Sequence, residues 1–353
     1  MKNIFDYIEY YKNIPMKEYN FNETDSLIFA LLSYVKLKDI VPNSKKDYIY
    51  LDDAINLFIE KFKCFNPKKE NWLFPNCYKL METLKDSKRY KNLKIYNHIE
   101  IIDKETQFSA ITIRLDKLTY ISYRGTDSSI VGWREDLEMF YKDYIPSQKL
   151  ALKYLEDTIN FFDRNIYIGG HSKGGNLSMY AYMFSNNNYK KRVKKVYNYD
   201  GPGLKKEMIE NNKELYQDLT NKLITIVPNY SIVGMTLENT NYFIVNSPNK
   251  GLWAHDGFSW EVFGGLLFQG HLSKKSTKLK ENLKIYLDKM TNEEKEELVI
   301  NTFDIFKKLK IEYTEQLQDL KINEVIKLIK DIKNIPNKTK SKWIIIIKLL
   351  LIG

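Results

Sequence analysis

The sequence predicts an α/β protein with a mainly parallel sheet, because its hydrophobic period changes along the chain. From Lys91 the period is two, in three short β-branched and aromatic runs, "KIYNHIEIID", "FSAITIRLD" and "LTYISYRGT". The polar residues between these runs favour an antiparallel strand pair that leads into a third strand. Helical and strand patterns then alternate, which is typical of parallel strands joined by helices on both faces of a sheet.

The alternating part divides into separate elements, and helical patterns flank the sheet region. We predict helices near 147–162, 174–186, 204–220 and 257–267, and strands at 165–170, 194–200, 222–228 and 241–245. Residues 1–88 indicate helices and loops, with Asn22 or Thr24 as the cap of the helix in "ETDSLIFALLSYV". Beyond about Ser276 the pattern is helical and highly charged. We therefore expect a sheet domain at 1–275, whose first 88 residues are helical, and a C-terminal helical appendage at 276–353.

Composition indicates a packed protein of 353 residues, 43% of them hydrophobic and 28% charged. The net charge of +10 is spread along the chain, and no nucleic-acid-binding motif accompanies it, so we expect no nucleic-acid partner. Cys64 and Cys77 are too few for a disulfide framework. Asp6 and Glu9 interrupt the apolar core that a signal peptide would need, so we expect a cytoplasmic protein.

The segment from Gly170 to Gly174, "GHSKG", matches G-x-S-x-G between a predicted strand and a predicted helix. In this motif a sharp turn projects a serine nucleophile, here Ser172, from the top of the sheet. Glycine is needed two residues before and after the serine, since larger side chains would collide with the neighbouring strand and helix. The alternative is a glycine-rich phosphate-binding or packing turn.

A serine nucleophile needs donors for the oxyanion, and the backbone N–H of Lys173 is the first candidate. The second is Thr126, which follows the strand ending at "YRGT" and has both an N–H and a hydroxyl to offer. This segment resembles the class 3, fungal-type lipases, in which the corresponding strand ends in Phe-Arg-Gly-Thr or a close variant. A Trp and an Asp-Leu pair follow there, and Trp133, Asp136 and Leu137 stand in matching places.

The catalytic base and acid are sought after the serine, in the order Ser, Asp, His. His255 follows the last predicted strand and is the candidate base, with His271 as the alternative, whereas His171 is expected to point away from the site. Asp200 ends a strand in "YNYDGPG" and is the candidate acid; the alternatives are Asp256 and a capping role for Asp200.

Class 3 lipases place the acid one strand later, where this chain has Ser231, which is a candidate to hydrogen-bond the base. Pancreatic-type lipases take their acid from the earlier strand, the position of Asp200. "GGHSKGGN", "YDGPG", "SIVGM" and "HDGFSW" together resemble the bacterial Mbeg-type, lipase-like branch of the α/β-hydrolases, and the resemblance covers most of residues 3–265. It implies an α/β-hydrolase fold and esterase chemistry.

We therefore expect a serine hydrolase that cleaves acyl esters of small, lipid-like molecules through an acyl-enzyme, with no metal and no organic cofactor. The alternatives are a binding or scaffold protein that keeps the fold without turnover, and an acyltransferase or thioesterase. Residues 128–144 are either a mobile flap over the pocket or a packed helix, and packing is favoured. The apolar tail at 341–353 is expected either to be buried or to lie on an anionic membrane surface.

Overall fold

A computed structural model describes residues 2–66, 71–239, 241–319 and 341, and these residues form a mixed sheet of eight strands. The strands lie in chain order: β1 Ile49–Tyr50, β2 Lys94–Ile102, β3 Gln107–Leu115, β4 Leu118–Tyr123, β5 Asn165–His171, β6 Val193–Tyr199, β7 Leu223–Pro228 and β8 Tyr242–Val245. Pairs from β1 to β4 are antiparallel, and pairs from β4 to β8 are parallel. The predicted antiparallel pair and mainly parallel sheet are confirmed.

Helices cover both faces of this sheet. One face carries the N-terminal helices α1 Ile4–Tyr11, α2 Glu23–Leu32, α3 Leu51–Phe62 and α4 Phe74–Leu84, and the other carries α6 Pro146–Thr158 and α7 Lys173–Phe184. Strand β4 shows the alternation that this requires: Tyr120 is buried in the first core and Ile121 in the second. Both faces of the central strands are therefore withdrawn from water.

Helix α2 is anchored firmly at its start. The side chain of Asn22 accepts hydrogen bonds from the backbone N–H groups of Thr24 and Asp25, so Asn22 is the cap rather than Thr24. The buried Asp25 carboxylate forms an ion pair with Arg89 and accepts a hydrogen bond from the Tyr90 hydroxyl at 2.7 Å. This network fixes the helix that leads to Tyr34.

Two predicted helices differ in the structure. The region 204–220 forms two short helices, α9 Lys206–Asn211 and α10 Lys213–Thr220, and α8 Asn187–Lys190 follows α7. The helix predicted at 257–267 is wrong. This region has short 3₁₀ turns at Gly251–His255 and Gly257–Ser259, followed by the hairpin strands β9 Val262–Phe263 and β10 Leu266–Leu267. Gly264 at φ +62° makes the hairpin turn that a helix would not allow.

The C-terminal part is helical as far as the structure describes it. It contains α11 Lys274–Asp288, α12 Asn292–Lys308 and a 3₁₀ turn at Thr314–Asp319, whereas α5 Ile130–Glu138 belongs to the sheet region. The division at residue 276 stays a prediction. Except for Ser341, the segment 341–353 lies outside the described residues. Within them, no helix combines the length and apolar character needed to cross a membrane.

Candidate active site

Three neighbouring parallel strands end at one edge of the sheet. Tyr123 at the end of β4 pairs with Gly170 of β5, and His171 at the end of β5 pairs with Tyr199 of β6. The segments that follow these strands therefore emerge side by side, as the carboxyl ends of parallel strands do. They carry Thr126, Ser172 and Asp200.

Ser172 occupies a strained turn between β5 and α7. Its φ is 58° and its ψ is −135°, in the left-handed region that non-glycine residues seldom enter. A Cβ at Gly170 would lie 2.4 Å from the carbonyl carbon of Gly174, and one at Gly174 would lie 2.1 Å from the Tyr123 carbonyl oxygen. The turn thus needs glycine on both sides of the serine.

His255 and Asp200 are brought into direct contact. The Nδ1–H of His255 donates to Oδ2 of Asp200 at 2.6 Å. A proton on Nδ1 leaves Nε2 as the acceptor of the neutral imidazole. Neither His255 Nε2 nor Ser172 Oγ has a hydrogen-bond partner within the described chain, and the two are not hydrogen-bonded to each other.

The Asp200 carboxylate is fully buried and has three donors. Besides His255, the Ser231 hydroxyl donates to Oδ1, and so does the backbone N–H of Gly234 at 3.1 Å. Ser231 therefore bonds the candidate acid, whereas we expected it as a partner of the base. These donors satisfy a charge that would be costly to bury alone.

The two alternative residues lie elsewhere. Asp256 caps the next turn by accepting from the Phe258 N–H at 3.1 Å, and it also accepts from the Asn76 side chain. Burial raises the pKa of Asp256 to about 6. His271 is exposed in a loop and makes no hydrogen bond in the part of the chain that the structure describes.

His171 does not point away from the site, so that expectation is wrong. Its ring centroid lies 4.5 Å from that of His255, and its Nε2–H donates to the His255 backbone carbonyl at 2.7 Å. The other nitrogen, Nδ1, accepts from the Tyr34 hydroxyl at 3.0 Å. Burial, followed by the nearby His255, holds the pKa of His171 well below its usual range, which keeps it neutral. Sequence reasoning missed Tyr34, since no local pattern links it to the turn at Ser172.

The two candidate oxyanion donors flank Ser172. Among the described residues, the backbone N–H groups of Thr126 and Lys173 have no acceptor, and Lys173 opens α7, where N–H groups are unpaired. Gly125 brings the Thr126 segment close, since a Cβ there would lie 2.8 Å from the Ser172 Cβ. The Thr126 hydroxyl is engaged elsewhere, because it donates to Asp136 Oδ2 at 2.6 Å. Only its N–H is therefore left as a donor for an oxyanion.

Asp136 and its neighbour Glu135 contact the side chains of Thr126 and Lys173. Asp136 Oδ1 is out of contact with solvent and has no partner within the described residues. Burial raises the pKa of the Asp136 carboxyl to about 6, although Lys173 and the Thr126 hydroxyl act in the opposite direction. Glu135 forms a fully buried ion pair with the Lys173 ammonium, with 2.9 Å between Glu135 Oε2 and Lys173 Nζ. No local pattern predicts this pair, beyond the closeness of Glu135 to Asp136.

The segment 128–144 contains α5 and contacts the C-terminal region. The Ile130 N–H donates to the Glu312 carbonyl at 2.8 Å, and the Thr314 N–H donates to the Ser128 carbonyl at 2.9 Å. Helix α5 buries Gly132, Glu135 and Glu138. These contacts favour a packed helix over a flap, and Trp133 is the large side chain that α5 exposes.

No cluster of three or more histidine, cysteine or acidic side chains suited to a metal ion occurs among the described positions. The chemistry of this edge is that of a hydroxyl, an imidazole, a carboxylate and free N–H donors.

The eight-stranded mixed sheet with helices on both faces is an α/β-hydrolase fold. A family model described as Mbeg1-like matches residues 84–304, which is more than half of the chain. The chain therefore belongs to the Mbeg1-like family, a lipase-like family, and this supports a lipase-like hydrolase. No curated protein sequence matches it.

Two solved lipase structures are similar to the chain, each at 15% identity and a TM-score of 0.35. The match to the M37 lipase covers 61% of this chain and 70% of the other. The match to the Lip2 lipase from Yarrowia lipolytica covers 65% of this chain and 88% of the other.

Proposed function

We propose that the protein is a serine esterase that hydrolyses acyl esters of small, lipid-like molecules. The observation that carries this proposal is the hydrogen bond from His255 to Asp200, which leaves an acceptor nitrogen free at the sheet edge where Ser172 projects. The unpaired N–H groups of Thr126 and Lys173 at the same edge support it. Both cysteines are free thiols, which fits the cytoplasmic location that we also propose.

The reaction has two halves. Ser172 Oγ attacks the ester carbonyl while His255 Nε2 takes its proton, and the Thr126 and Lys173 N–H groups bind the oxyanion. The C–O bond to the alcohol then breaks, and His255 returns the proton to the leaving alcohol. Water repeats the sequence on the acyl-enzyme and releases the acid. Asp200 holds the imidazole in its productive tautomer and stabilises the imidazolium, and each oxyanion donor contributes about 10²–10³ in rate.

Labelling by a fluorophosphonate probe tests this proposal, because such probes phosphonylate activated serines. Wild type should label, Ser172→Ala should not, and His255→Gln should label far more slowly. Ser185→Ala is a matched control, since Ser185 is the C-terminal cap of the same helix α7 and its hydroxyl bonds only the Tyr182 carbonyl among the residues that the structure describes. Wild type that fails to label, or Ser172→Ala that labels equally, would overturn the enzyme reading in favour of a binding or scaffold protein.

A panel of p-nitrophenyl esters from short to long acyl chains then measures turnover. Hydrolysis that depends on Ser172 supports the esterase. Labelling without release of free acid, but with transfer of the acyl group to an added alcohol or thiol, would favour the acyltransferase alternative, and preference for thioesters would favour a thioesterase.

A further inference from the structure

The side chain of Lys173, the residue after the candidate nucleophile, is fully buried, which is rare for a lysine unless it is paired. Its ammonium donates to the Gln107 carbonyl at 2.9 Å and to Glu135 Oε2 at 2.9 Å. The backbone N–H of the same residue is a proposed oxyanion donor. The position of this N–H therefore depends on the Lys173 side chain, which Gln107 and Glu135 hold in place.

The anchor is itself rigid. Glu135 Oε2 also accepts from the Gln107 N–H at 2.9 Å, and Oε1 accepts from the Ser147 N–H at 3.0 Å. These donors belong to the first residue of β3 and to the first turn of α6. Glu135 thus connects the start of the nucleophile helix to two other elements through bonds to backbone groups.

The next residue, Asp136, accepts the hydroxyl of Thr126. Adjacent residues of one helix, α5, therefore hold the two residues whose N–H groups flank Ser172. A buried ion pair is a poor source of stability, since well-packed apolar side chains of similar volume often serve as well or better. The pair instead restricts the orientation of the Lys173 side chain, because a charge-assisted hydrogen bond has a defined geometry.

We propose that Glu135 is a positioning residue for the oxyanion hole, which it orients by holding the side chain of Lys173. This inference rests on the proposed esterase function. A misplaced donor weakens transition-state binding more than substrate binding, so loss of the pair should lower kcat and leave KM nearly unchanged.

The test separates positioning from stability by removing the charges in two steps. Lys173→Met leaves the Glu135 carboxylate buried without its cation, so both Tm and kcat should fall. Adding Glu135→Gln removes that unpaired charge, so Tm should recover towards the wild-type value. We expect kcat of this double variant to stay about 10- to 100-fold below wild type, which is less than the loss of a whole donor. The conservative variant Lys173→Arg, which keeps the cation, should retain more kcat than Lys173→Met.

Arg114→Met is the matched control, since Arg114 pairs with Asp163 at 2.6 Å, and Arg114 lies near the opposite end of β3. It should change Tm without changing kcat. A double variant with wild-type kcat would overturn the inference and leave the esterase proposal intact. A wild type that neither labels nor hydrolyses esters would overturn the esterase proposal, and the inference with it.

Discussion

Replacing Asp136 with asparagine should change the pH dependence of stability. The unfolding free energy of the variant, minus that of wild type, should be larger at neutral pH than at acidic pH. Burial raises the pKa of the Asp136 carboxyl from 3.8 to about 6 in the folded protein. The folded state therefore binds the proton more tightly than the unfolded state, and wild-type stability falls as pH rises through this window. Asparagine does not titrate, and its side-chain oxygen can still accept the Thr126 hydroxyl.

The size of the effect follows from the two pKa values. Each pKa unit corresponds to about 1.4 kcal/mol, so ionising Asp136 costs the folded state about 3 kcal/mol when the window has been crossed. Part of this window lies below pH 4.5, where many proteins begin to unfold. Between pH 4.5 and pH 7.5, the unfolding free energy of Asp136→Asn minus that of wild type should increase by about 2 kcal/mol.

Urea denaturation followed by tryptophan fluorescence at pH 4.5, 6 and 7.5 measures this difference. Taking the difference between the variant and wild type at each pH removes the contribution of other titrating groups, including Asp256. Thr126→Val serves as a second arm: it removes a hydrogen bond that lowers the pKa of Asp136, so it should extend the pH-dependent window upwards. A variant-minus-wild-type difference that stays constant across this range, or that decreases with pH, would refute the reasoning.

Two further predictions concern the groups around the imidazole. His171→Phe removes the group that donates to the His255 carbonyl, so it should lower kcat at least about tenfold. His171→Gln, whose amide reaches about as far as Nε2, should restore much of the lost kcat. Equal kcat values for these two variants would contradict a positioning role. Asp200→Asn should lower kcat by about 10⁴-fold through the wrong tautomer, and adding Ser231→Asp should regain at least about tenfold. Ester hydrolysis, with thermal unfolding of each variant as a check on stability, measures both predictions. If Ser231→Asp had no effect on kcat in the Asp200→Asn variant, this would contradict the idea that either position can hold the carboxylate.

Strands β2 to β8 and the edge that carries the candidate site could be predicted from sequence because they depend on local patterns. Short runs of β-branched and aromatic residues marked these strands, whereas the two-residue β1 was not predicted. The rule that parallel strands end at a common edge grouped Thr126, Ser172 and Asp200. The helix predicted at 257–267 failed because its apolar residues fit a helix and a hairpin almost equally, and the turn at Gly264 decided for the hairpin.

The supporting contacts could not be predicted in the same way. Tyr34 and His171 are 137 positions apart, and Glu135 and Lys173 are 38 apart. Such pairs depend on how α2 and α5 pack against the sheet, which no periodicity encodes. The expected orientation of His171 was wrong because the alternation of side chains along β5 ends where the turn at Ser172 begins.

The Asp200 carboxylate is bound by groups from two later segments of the chain. The segment after β7 supplies the Ser231 hydroxyl and the Gly234 N–H, which both donate to Asp200 Oδ1. Asp200 also lies at a φ of 48° with no exposed surface. A carboxylate is costly to bury unless donors satisfy it. Three donors directed at one carboxylate, one of them the imidazole, favour an esterase over a scaffold.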